Sequence, residues 1–91
     1  MIYDVIISPK ALEGLNYLKK QEPFAYKKAI KLIEELVVHP DTGTGHPKPL
    51  GEDRAGQWSR RITRKHRLVY MIKNDCVEVL VLSAFGHYDD K

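Results

Sequence analysis

Between His39 and Gly56 the chain carries Pro40, Gly43, Gly45, Pro47, Pro49, Gly51 and Gly56. No helix or strand runs unbroken through that density of breakers. The stretch divides 91 residues, enough for a single domain over 1–91, into two unlike parts. The N-terminal part has helical periodicity, and the C-terminal part is rich in β-branched residues. A connection this long inside a small domain is unusual and often functional.

Ile2 to Ile7 is short, β-branched and aromatic, the pattern of a strand. Ser8-Pro9 then has the form of an N-cap followed by proline in the first helical turn. Leu12, Leu15 and Leu18, with Tyr17, form an apolar stripe that predicts a helix over 9–20. Gln21-Glu22-Pro23 breaks it. Phe24, Tyr26, Ile30, Ile33 and Val37 predict a second helix to about Val38, with Lys27, Lys28, Lys31, Glu34 and Glu35 on its outer side. Beyond the breakers, 57–63 and 67–73 are expected to be strands around a tight Arg64-Lys65-His66 turn. Asn74-Asp75 marks another turn. The run CVEVLVLSAF, Cys76 to Phe85, is expected to be a central strand buried on both faces. The order β-α-α-β-β-β with short connections favours an α+β fold, an antiparallel sheet with both helices on one face.

Composition narrows the function classes. The chain is 43% hydrophobic, a globular rather than a disordered balance. No apolar run approaches the ~18 residues of a membrane span, and MIYDVIISPK lacks the marks of a signal peptide. Cys76 is the sole cysteine, so no intrachain disulfide forms, in keeping with a reducing cytosol. The four histidines lack zinc spacing, and neither metal nor cofactor is expected. The net charge of +3 is uneven: residues 1–45 balance six lysines against six acids, while 46–91 set nine Lys/Arg against six acids. Arg60, Arg61, Arg64, Lys65 and Arg67 fall within eight residues. Such a cluster suits a polyanion, most simply a nucleic acid. Composition alone equally allows a solvated hairpin whose basic residues discourage strand aggregation.

Strand alternation sorts these cations. Trp58, Arg60 and Ile62 share a face expected to be partly buried, which leaves Ser59, Arg61 and Thr63 on the open one. Arg67 opens the next strand. Two guanidiniums on neighbouring strands match phosphate oxygens; the alternative is that each pairs with a carboxylate such as Glu52, Asp53 or Glu78. A hairpin about Asn74-Asp75 brings Phe85–His87 near the level of His66–Arg67. A histidine there suits proton transfer near neutral pH, against the plainer reading of a surface histidine on a fraying terminus.

The segment Gly56-x-Trp58-Ser59-Arg60-Arg61-Ile62-Thr63-x-x-His66-Arg67-Leu68-Val69-Tyr70, preceded by Pro47-Lys48-Pro49-Leu50 and followed by His87-Tyr88, resembles the signature of the YoeB (Txe) toxins. These belong to the RelE-like superfamily of type II toxin–antitoxin systems. The resemblance is close over 46–88 and extends to layout alone in the helical part. It implies a RelE-like fold and a cytoplasmic, metal-independent endoribonuclease that cuts messenger RNA in the ribosomal A site. It also implies as partners a YefM/Phd-like antitoxin, mRNA and the 70S ribosome, operator DNA only as the toxin–antitoxin complex, and no membrane. Oligomeric state is left open, homodimer included. By motif position Arg61 and Arg67 resemble the residues that hold the scissile phosphate, His87 the general acid, and Tyr88 the ring that orients the RNA. Arg60, Arg64, Lys65, His66 and Trp58 are expected to contact RNA around them.

Two positions depart from the family. Lys48 stands between the prolines where a glutamate base is usual, and His46 stands where a basic residue is usual. A base must take the ribose 2′-OH proton so that the oxygen attacks the adjacent phosphate, giving a 2′,3′-cyclic phosphate. A lysine serves only if burial or neighbouring cations bring it to the neutral form. Lys48 is ranked first as base and His46 second. The alternatives are a slow or substrate-restricted enzyme, or a catalytically weak or inactive RNA/ribosome-binding module acting mainly with its antitoxin as a transcriptional co-repressor. The tail beyond Tyr88 is a further departure, since close relatives often end at that tyrosine, and it argues against a role for a terminal carboxylate.

Overall fold

A computed structural model describes residues 2–51 and 54–86. Strand β1, Asp4–Ile7, leads through Ser8 into helix α1, Pro9–Gln21. The Ser8 hydroxyl accepts from the Ala11 amide at 3.1 Å and donates to the Leu82 carbonyl at 3.0 Å. It caps the helix and ties its start to the sheet. Helix α2, Pro23–Leu36, comes directly after, with Glu22 both ending α1 and preceding α2. Four further strands complete the fold: β2 (Lys48–Pro49), β3 (Gln57–Arg61), β4 (Arg67–Lys73) and β5 (Glu78–Ser83).

The five strands make one sheet in the order β1-β5-β4-β3-β2. All neighbours are antiparallel except β1, which pairs with β5 in parallel, Asp4 opposite Glu78 through Ile7 opposite Val81. The expected all-antiparallel sheet is therefore mixed. Parallel pairing requires a long return, and the chain between β1 and β5 contains both helices and the other three strands. The two-residue β2 also goes beyond the expected element order; it is built from the Pro/Gly stretch itself.

The core lies between the helices and one sheet face. Ala11, Leu15 and Leu18 of α1 and Ala25, Ala29, Leu32 and Leu36 of α2 meet Leu68, Tyr70, Val79 and Val81. The helical faces are rotated from the expected stripes. Leu12 and Tyr17 are about half exposed and Phe24 is 90% exposed. Small residues take the inward positions because the backbones approach closely there: a Cβ at Gly14 would lie 2.9 Å from Phe85 Cβ. Strand β5 is flanked on both edges but is not buried on both faces. Val79 and Val81 are buried, while Glu78 and Leu80 are intermediate. The helices cover only the first of these faces. Cys76 and Val77 belong to the preceding turn, Val77 at a positive φ of 53°.

Candidate active site

The sheet face away from the helices carries the candidate residues. Alternation along β3 puts Ser59 and Arg61 there. Register adds Lys48 of β2 opposite Ser59 and Arg67 of β4 opposite Arg61. Together with Gly45 and His46 these side chains line a hollow of about 80 Å³. Both expected phosphate-binding arginines and both expected bases thus meet in one place. Ser59 and Gly45 also line the hollow, and no role had been expected of either. For Ser59 the signal was present, since alternation puts it beside Arg61.

The loop is held over the strands by backbone geometry. The Arg61 amide donates to the Gly45 carbonyl at 2.7 Å. Gly45 has φ +87°, and a Cβ there would crowd the Arg61 carbonyl and Arg60 Cβ at 3.1 and 3.2 Å. Glycine alone suits both demands. His46 comes next with φ 54°, an uncommon value for a residue with a side chain. Arg61 is exposed, and among the described residues no carboxylate pairs with Arg61 or Arg67. Among the described residues the Arg67 guanidinium reaches only the Thr63 carbonyl, at 3.5 Å. Two cations held in register, with no counter-charge among the described residues, suit an anion.

Arg60 corrects the sequence reading. It was expected to contact RNA, but it is fully buried on the helix-facing side. Its Nη1 donates to Glu35 at 2.6 Å and to the Thr44 carbonyl at 3.2 Å. Its Nη2 donates to the carbonyls of His39 and Thr42, and its Nε to the Tyr70 hydroxyl at 3.1 Å. That hydroxyl donates onward to the Pro40 carbonyl at 2.7 Å. Every donor nitrogen is occupied, so Arg60 organises the loop over 39–44 instead of reaching a ligand. Glu35, expected to be a solvated outer-face residue, is the acid of this network. Hydrogen bonds from Thr44 foremost, and then from Arg60, hold its carboxyl below the usual carboxylate range. Burial raises the Tyr70 phenol above its ordinary value.

His66 is corrected likewise. It is 3% exposed, with Nε2 facing the Glu22 carboxylate at 3.1 and 3.2 Å and Nδ1 accepting from the Gly86 amide at 2.9 Å. Neither nitrogen is left for RNA. Arg64 and Lys65 lie exposed on the β3–β4 turn, Lys65 Nζ 3.6 Å from Glu22. Trp58 is partly buried against the core, which limits the ring surface open to a base. His87 and Tyr88 lie outside the described residues, as do Glu52 and Asp53. The expected level of the chain before them is met at Gly86, whose carbonyl accepts from the Arg67 amide at 2.8 Å. Among the described residues no group of three or more His, Cys, Asp and Glu side chains could hold a metal ion, and no helix is long and apolar enough to cross a membrane.

Known proteins are similar to this chain in architecture and in sequence. A family profile described as the YoeB-like toxin of bacterial type II toxin–antitoxin systems matches residues 7–88. The toxin YoeB of Escherichia coli K12 is 34% identical over 84 residues, 92% of this chain and 98% of that protein. The solved YoeB/ParE toxin from Agrobacterium tumefaciens superposes with a TM-score of 0.86 at 29% identity, covering 93% of this chain and 99% of its own. The toxin in a YoeB–YefM complex from Staphylococcus aureus superposes with a TM-score of 0.78 at 28% identity, covering 97% and 100%. With its arginine pair on the same strands that carry the matching motif, the chain belongs to the YoeB-like toxins of bacterial type II toxin–antitoxin systems.

Proposed function

We propose that this toxin is a ribosome-dependent endoribonuclease that cleaves messenger RNA in the A site and so stops translation in the cytoplasm. The observation that carries the reading is the pair Arg61 and Arg67, in register across β3 and β4 and without carboxylate partners among the described residues, at a hollow rimmed by Lys48 and His46. The guanidiniums take the two non-bridging oxygens of the scissile phosphate. Lys48, as the unprotonated amine, accepts the ribose 2′-OH proton, with His46 as the alternative base on the same rim. The 2′ oxygen bonds to phosphorus, and charge grows on the phosphorane oxygens, where fixed cations stabilise it most. The bond from phosphorus to the 5′ oxygen then breaks. His87, next in sequence to Gly86, gives that oxygen a proton, and Tyr88 stacks on the RNA. The products are a 2′,3′-cyclic phosphate and a 5′-hydroxyl end. Every group in this scheme is organic, so the reaction runs without a metal. A YefM/Phd-like antitoxin inhibits the enzyme and joins it on operator DNA.

Primer extension on programmed ribosomes tests this. Arg67→Ala should lower the cleavage rate by about 100-fold or more, the usual loss for one charge-stabilising donor. Equal cutting by wild type and Arg67→Ala would remove the assigned site. A second reading is favoured by Lys48 itself, which replaces the family's acid: a binding module that occupies the ribosome and cuts nothing. A ribosome toeprint without cleavage by wild type, with cleavage restored in Lys48→Glu, selects it.

A further inference from the structure

The β4–β5 ladder ends where Val69 faces Ser83, and the chain then leaves the sheet through Ala84 and Phe85. It is brought back at Gly86 by two consecutive residues. The Gly86 amide donates to His66 Nδ1 at 2.9 Å, and the Gly86 carbonyl accepts from the Arg67 amide at 2.8 Å. The histidine ring therefore stands in for the missing ladder partner. Because Nδ1 accepts, the ring hydrogen is assigned to Nε2, where it points at Glu22. Glu22 makes no cap for α2, and its carboxylate turns to His66 instead. The two groups are 44 residues apart in sequence.

Packing fixes the same ring from a third side. Phe85 lies against His66, centroids 4.9 Å apart, and meets Tyr17 edge-on at 4.6 Å. The close approach of Phe85 to Gly14 leaves no room for a side chain at 14. Gly86 has φ +75°, a left-handed backbone angle open to glycine without strain, so the strand exit turns at the residue that the latch grips.

We infer that His66 is a positioning residue for the reaction, which locks the Gly86 peptide against the start of β4 beside Arg67 and so sets where the chain leading to His87 leaves the sheet. The inference rests on the ribonuclease reading for its catalytic part. Its structural part stands on the Glu22–His66–Gly86 chain of hydrogen bonds. The motif histidine acts through its neighbours and touches no RNA.

Three variants separate the two arms of the ring. His66→Asn keeps an acceptor near the Nδ1 position. His66→Gln keeps a donor near Nε2, and His66→Leu keeps neither. Steady-state cleavage is measured with amide exchange of the free toxin. His66→Gln and His66→Leu should lower kcat by about 10–100-fold, the scale for a misplaced reacting group, with KM nearly constant. In both, Gly86 should exchange about tenfold faster or more while Leu68 and Tyr70 stay protected, the pattern of local release. His66→Asn should recover most of the rate and the Gly86 protection. Unchanged Gly86 exchange in His66→Gln overturns the latch. So does an equal loss in all three variants accompanied by exchange at Leu68 and Tyr70, which marks simple unfolding. Unchanged kcat with a released Gly86 overturns the role in the reaction. If the wild type cuts no RNA, the ribonuclease reading fails with it, and the latch is still decided by the exchange data.

Discussion

Arg60 faces the helices, where Glu35, the Tyr70 hydroxyl and three backbone carbonyls take all its donors. Arg61, the next residue, faces the other way and lies exposed on the rim of the hollow. One peptide bond separates a cation that holds a loop from a cation left for a ligand. The difference comes from the side a strand residue faces and from what covers that side. A buried guanidinium requires a full set of partners, since an unpaired one is costly. An open one keeps its donors available and is hydrated until an anion arrives. The two are also coupled, because the loop that Arg60 ties down continues into Gly45 and His46, which line the hollow with Arg61.

The largest effect expected from breaking this contrast is Arg60→Ala. It leaves the loop carbonyls of His39, Thr42 and Thr44 without this donor and Glu35 without its cation, and should cost about 3–5 kcal/mol in urea denaturation. Arg61→Ala should alter stability by about 0.5 kcal/mol or less yet reduce cleavage by about 100-fold or more. Equal stability losses for the two would erase the distinction. Tyr70→Phe comes next. It removes the link from Arg60 to the Pro40 carbonyl and should cost about 1–3 kcal/mol, with the denaturant slope unchanged.

The smallest effect concerns acid. The folded pKa of Glu35 lies below its ordinary value, chiefly through Thr44. Its contribution is therefore present above the unfolded value of 4.5 and is lost as pH falls through the folded value. Glu35→Gln should flatten that part of the stability profile below pH 4.5. A wild-type acid slope in the variant would show that Glu35 is not one of the groups responsible.

Much of this arrangement was legible in residue order. Period-two alternation separated Arg60 from Arg61, and a hairpin count set the chain near Phe85 at the level of His66–Arg67, as seen at Gly86. Motif position grouped His46, Lys48, Arg61 and Arg67 before their shared hollow was seen. The same alternation grouped Arg60 with Trp58 and Ile62, so its burial follows from the pattern even though RNA contact had been expected. The helix stripes were misjudged because leucines and aromatics outweigh alanines in an apolar pattern. At a close helix–sheet contact the small residue fits and the large one is turned outward.

Local chemistry in the sequence by itself determined the order of every element but β2, the helix starts at Ser8-Pro9 and Pro23, the two faces of β3 and the cations of the site. These depend on neighbours within a few residues, where periodicity and capping act. Only the tertiary structure decided that β1 runs parallel to β5, that Glu35 is the acid of a buried network, and that His66 latches the chain end. Arg60 and Glu35 are 25 residues apart and His66 and Glu22 are 44 apart. No local pattern encodes which distant carboxylate a cation meets, because that choice is made by how the helices settle on the sheet.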